Sequence, residues 1–157
     1  MKNLKNLLLV IVMILATSCK STVNIEVEKS KIETVLDKYI FCFEQENIDI
    51  YDNILVHDED MVNFGTSANE RIVGWEVLRA AVEVQNATLS ETKITQTDVD
   101  INLTDDGSFA WATSLWHFNA LANDQQIDVS IRCSWVLQKY GDDWKIVHFH
   151  KSIGALI

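Results

Sequence analysis

The sequence predicts an α+β fold, with N-terminal helices packed on one face of a curved, mainly antiparallel sheet. Three observations carry this expectation. Apolar residues recur at helical spacing through the first half of the chain. From Asp98 onward they alternate with a period of two. Three short turn signals, Asp105-Asp106-Gly107, Ala122-Asn123-Asp124 and Gly141-Asp142-Asp143, then join consecutive strands, which makes an antiparallel meander. The 157 residues fit one domain, and 48% apolar with 23% charged residues is an ordinary globular balance.

The elements follow in order. Ile32, Val35, Leu36, Tyr39, Ile40 and Phe43 form one face of an amphipathic helix, with Ser30 as a candidate cap. Asn47 to Leu55 places Ile50, Tyr51, Ile54 and Leu55 on one side of a second, short helix. Asp60 to Phe64 reads as a short strand ended by Gly65. Gly74 to Asn86 fits a third helix with Trp75, Leu78, Ala81 and Val82 facing inward. Strands are then expected at Val99 to Leu103, Ser108 to Leu121, Ile127 to Leu137 and Trp144 to Lys151. The absence of proline and the 5 glycines exclude collagen-like and linker-rich readings.

The chain carries 13 basic and 23 acidic residues, a net charge of −10. Such a chain repels phosphate backbones, so no nucleic-acid partner is expected. Residues 1–18 read as a signal peptide: Lys2 and Lys5 precede the apolar run Leu7 to Ala16, which is shorter than the ~20 residues a membrane-spanning helix needs. The small residues Ala16-Thr17-Ser18 then lead to Cys19. This arrangement resembles a bacterial lipoprotein signal, although Ala16 stands where such signals usually carry leucine. The resemblance implies lipidation at Cys19, export to the bacterial cell envelope and a lipid anchor in a membrane. Residues 19–28 are polar and are expected to act as a tether, leaving 29–157 as the folded domain. Cys42 and Cys133 lie among apolar neighbours and are read as buried free thiols, with a single disulfide as the alternative.

Two segments carry a family resemblance. Phe64-Gly65-Thr66-Ser67-Ala68-Asn69-Glu70-Arg71-Ile72-Val73-Gly74-Trp75 resembles the stretch before the third helix of SnoaL-like proteins. Trp144-Lys145-Ile146-Val147-His148-Phe149-His150-Lys151-Ser152 resembles their last strand and the end of the calcium/calmodulin-dependent kinase II association domain. The resemblance implies the cone-shaped nuclear-transport-factor-2-like fold, with a pocket between the sheet and the helices. That fold hosts isomerases, dehydratases and members without activity, so function has to be argued from side chains.

Six residues are expected at the pocket. Glu70 occupies the position of the SnoaL-like glutamate. Arg132, on the polar parity of its strand with Ser130 and Ser134, is the expected partner of Glu70 or an anchor for a carboxylate, since a lone buried charge costs several kcal/mol. Trp75 and Trp111 are expected as pocket walls, together with Trp116 and Phe64, and Tyr39 and Tyr51 lie on helical faces within reach. Strict alternation puts His148 and His150 on the face of Trp144 and Ile146, and leaves Lys151 on the opposite face with Val147 and Phe149. Two histidines without a third ligand do not make a metal site, so no metal and no cofactor are expected. His57-Asp58 is read as part of a solvated acidic loop.

Two classes of function stay open. The first is a non-catalytic binding or assembly module, with a small apolar or carboxylate-bearing molecule in its pocket. The second is an enzyme performing proton transfer or hydration chemistry of the isomerase or dehydratase type on a small hydrophobic substrate. It would use a histidine or Glu70 as base, and Arg132 or a tyrosine to stabilise an oxyanion. Aromatic residues on both parities of strands 108–121 and 127–138 further imply a homodimer.

Overall fold

A computed structural model describes residues 23–154. The expected signal peptide and Cys19 lie outside the described residues. The chain order is α1 (Ile25–Gln45), α2 (Ile48–Ile54), β1 (Val62–Phe64), β2 (Arg71–Val73), α3 (Trp75–Thr88), β3 (Leu89–Leu103), β4 (Phe109–Ala122), β5 (Gln125–Tyr140) and β6 (Asp143–Ile153). One six-stranded sheet runs in the order β2-β1-β6-β5-β4-β3. Every neighbouring pair is antiparallel except β1 with β6. No described helix is long and apolar enough to cross a membrane.

Helix α1 starts at Ile25, inside the stretch expected to be a tether. Asn24 caps it, its side chain accepting from Val27 N–H at 3.4 Å. The cause of the early start is Glu28, one turn ahead of Ile32 on the buried face. Trp144 Nε1 donates to its carboxylate at 2.7 Å and Lys139 Nζ approaches at 2.8 Å. Burial alone would raise the Glu28 pKa, but the hydrogen bonds from Lys139, Trp144 and Lys31 outweigh it and hold the group at about 2. This link between the first helix and the end of the meander was invisible in sequence, because an isolated glutamate reads as solvent-exposed.

Two further elements differ from expectation. β2 lies where the residue pattern predicts no strand, since three residues are too short to show alternation; it pairs Val62 of β1 with Val73 and Phe64 with Arg71. β3 begins at Leu89 rather than at Val99. It carries two register shifts, between Ser90 and Lys93 and between Thr97 and Asp100. Glu91 and Asp98 sit there at φ 53° and 50°. Each bulge adds a residue and resets the parity, so the apolar alternation is broken in sequence although the strand continues.

The core lies between the inner face of the sheet and the helices. Tyr39 of α1 is its centre, with rings of Phe43, Tyr51, Trp116, Trp135 and Phe149 within 4.8–6.1 Å of it. Cys42 and Cys133 are both buried free thiols, each pushed up to about 12 by burial.

Candidate functional site

The site depends on one irregularity in β6. Trp144 and Ile146 face the core, as expected. The register then slips: Leu137 pairs with Ile146, but Val136 pairs with His148. Val147 is the extra residue of a β-bulge, and beyond it the parity inverts. Phe149 and Lys151 therefore face inward, while His148 and His150 turn to the other side. This reverses the expected assignment of all three polar residues.

The inward side holds a cavity of 560 Å³ between the sheet, α1 and α3. Its walls are mainly apolar: Leu78 and Val82 from α3, Trp116 and Phe118 from β4, and Ile127, Val129 and Ile131 from β5. Lys151 lies in this wall and is 8% exposed. Its Nζ donates to Tyr39 Oη at 3.4 Å. Four aromatic rings surround the ammonium, with centroids at 4.4 Å (Phe43), 4.9 Å (Phe149), 5.4 Å (Tyr39) and 5.7 Å (Trp116). Their π-faces attract a cation, and cation–π contacts in desolvated sites are worth ~0.5–2 kcal/mol each. Burial nevertheless lowers the Lys151 pKa to about 8, against the opposing pull of Cys133 and Glu70. Burial also raises Tyr39 well above the ordinary tyrosine range, so its phenol is neutral.

Of the six residues expected at the pocket, Glu70 lines this cavity, at an exposed position near its mouth with Gly65 and Thr66. Its Oε2 accepts from Ser67 N–H at 3.0 Å. A Cβ on Gly65 would collide with that carboxylate, so glycine is what admits it here. Tyr39 and Trp116 also line the cavity, whereas Tyr51 lies behind it with no partner for its hydroxyl among the described residues.

The other five lie elsewhere. Arg132 is exposed on the outer face of β5, opposite Leu115 and Ser152, because Ile131, Cys133 and Trp135 take the inward parity. The expected bridge to Glu70 does not form. Trp111 is 49% exposed on the same outer face. His148 Nδ1 lies 2.6 Å from Val62 O; a carbonyl can only accept, so Nδ1 carries the proton. His150 is exposed, with its ring 5.6 Å from that of Phe64. Trp75 starts α3 and stacks on His57 at 4.3 Å in a separate shallow cleft that Glu59 also lines.

The SnoaL-like domain family matches residues 32–155. The chain belongs to this family. No curated protein matches it. Solved structures show the same fold. A nuclear transport factor 2-like superfamily protein from Salmonella enterica is 20% identical with a TM-score of 0.75, over 83% of this chain and 94% of that one. A protein from Streptomyces avermitilis, provisionally described as a dehydratase of the nuclear transport factor 2-like family, is 11% identical with a TM-score of 0.73, over 83% and 99%. A protein from Xanthomonas campestris, provisionally described as a calcium/calmodulin dependent protein kinase II association domain, is 20% identical with a TM-score of 0.66, over 80% and 87%. At these identities the likeness carries the fold and not the chemistry.

What sequence reading missed in this SnoaL-like domain is Lys151. A signal was available. Trp144, Ile146 and Phe149 are spaced two and then three apart, and if all three are core residues a bulge must lie between the last two.

Proposed function

We propose that this SnoaL-like domain is a non-catalytic binding module, held at a membrane by lipid on Cys19. Its cavity takes a small apolar molecule bearing one carboxylate, and the anion is set against Lys151. The observation that carries this reading is the buried ammonium in an otherwise apolar wall. A desolvated cation without a carboxylate partner is costly, and an anionic ligand offsets the cost. The wall has the composition such ligands use: large apolar area and few convergent polar groups. The proton-transfer reading loses Arg132, His148 and His150, which face away from the cavity, and keeps only Glu70, whose Oε2 is bonded to Ser67 N–H, and Tyr39 in the lining. The carboxylate anchor passes from Arg132 to Lys151. The outer face of the sheet, with Phe109, Trp111 and Leu115 all at least 40% exposed, is assigned to a second copy of the chain.

The test is a fluorescence titration that reads Trp116 in the cavity wall, using hydrocinnamate and its uncharged amide. The acid is expected to bind at least about tenfold more tightly than the amide, a difference of ~1.4 kcal/mol, and Lys151→Met is expected to erase that preference. Equal binding of acid and amide by the natural protein would remove the claim.

A further inference from the structure

We propose that Lys151 also captures small apolar aldehydes covalently, as a reversible imine formed inside the cavity. This rests on the reading that the cavity admits small apolar molecules, and goes beyond it by assigning Lys151 a nucleophilic role. The geometry supplies three requirements. The amine is buried in an apolar wall, where its side-chain partner among the described residues is a phenol and not a carboxylate. Among the described residues no carboxylate lies at ion-pair distance from it, and the more distant Glu70 opposes loss of the proton only in part. The neutral Tyr39 phenol stands 3.4 Å from Nζ and can donate a proton to the carbonyl oxygen. The four surrounding rings accommodate the cationic iminium that results, as they accommodate the ammonium. The lowered lysine pKa adds free amine: with the ordinary 10.5 displaced to about 8, the reactive fraction near neutral pH rises by about 300-fold.

The step balances without a co-reactant. The Nζ lone pair adds to the carbonyl carbon, the π electrons pass to oxygen, and a proton moves from nitrogen to oxygen through Tyr39 or solvent. The carbinolamine nitrogen then expels the hydroxyl, which leaves as water after protonation. One amine and one aldehyde give one imine and one water, with no change of oxidation state. The apolar walls hold the tail of the aldehyde and limit the water that would reverse the reaction.

The experiment treats the protein with hydrocinnamaldehyde and sodium cyanoborohydride at near-neutral pH and maps the reduced adduct by peptide mass spectrometry. Lys93, whose side chain is 74% exposed, is the internal control. Labelling at Lys151 is expected to be at least about tenfold faster than at Lys93 and to rise as the pH passes through about 8. Tyr39→Phe is expected to slow it, and Lys151→Arg to give no adduct while keeping the charge. If Lys151→Arg does not fold, the pH profile and the Lys93 comparison in the natural chain still decide. Labelling at Lys151 no faster than at Lys93 overturns the proposal. If that happens while hydrocinnamate still binds in a Lys151-dependent way, imine capture fails and the binding reading stands; if hydrocinnamate binding is also absent, both fail.

Discussion

Replacing Lys151 by methionine keeps most of the stem and removes the buried charge. In the folded chain burial displaces the ammonium from 10.5 to about 8. One pKa unit corresponds to ~1.4 kcal/mol, so below pH 8 the fold bears a penalty of about 3 kcal/mol for keeping the charge inside. The surrounding rings offset part of this, which leaves about 1–3 kcal/mol. The sign follows from proton counting. Below 8 both states hold the proton and the penalty is constant. Between 8 and 10.5 the unfolded chain still binds a proton that the folded chain has released, so stability rises with pH and the penalty disappears. Lys151→Met is therefore expected to be more stable than the natural protein at pH 7, with the gap closing as the pH approaches 10.5. Tyr39, Cys133 and Glu70 act on the same amine, and the raised thiols of Cys133 and Cys42 and the Tyr39 phenol weaken the fold at high pH. These effects are common to the two proteins, so the difference between their urea midpoints is the quantity to follow. A variant less stable at pH 7, by an amount that does not change with pH, would mean that the rings hold the ammonium at no net cost. The argument that a ligand anion relieves a burial penalty would then fail.

Glu28 gives an acid-side counterpart. Its displacement from 4.5 to about 2 would be worth about 3 kcal/mol, and solvent screening at the rim of the sheet reduces this to about 1–2 kcal/mol. That stability is present above pH 4.5 and lost as the pH falls toward 2, so Glu28→Gln is expected to flatten the acid limb of a thermal-melt series. Unchanged acid sensitivity would show that the Lys139 and Trp144 contacts contribute little. On the outer face, Trp111→Glu is expected to convert a dimer to a monomer by light scattering without altering hydrocinnamate binding; a natural protein already monomeric at micromolar concentration would contradict the assignment. Cys19→Ser is expected to move the protein out of the membrane fraction, and a cleaved variant that still sediments with membranes would remove the lipid anchor.

Much of the fold was legible because it rests on local periodicity. The amphipathic faces of α1 and α3, and the strands separated by Asp-Gly and Asn-Asp turns, are written in the spacing of apolar residues. Glu70 could be placed beside the cavity from the segment that resembles SnoaL-like proteins. What the sequence could not specify is everything that depends on counting residues across a bulge. One extra residue at Val147 exchanged Lys151 for His148 and His150, and two bulges in β3 hid ten residues of strand, Leu89 to Asp98. A bulge is chosen by the packing of neighbouring strands and helices, here by the fit of Phe149 among Tyr39 and Trp135, and no local preference announces it. Arg132 shows the complementary limit. Its polar parity is plain from Ser130 and Ser134 on either side, but which side of a sheet meets the helices is decided by where the apolar side chains of β4, β5 and β6 converge. Only the tertiary structure brings a lysine from the last strand to a tyrosine of the first helix, 112 positions away, and surrounds the pair with aromatic rings.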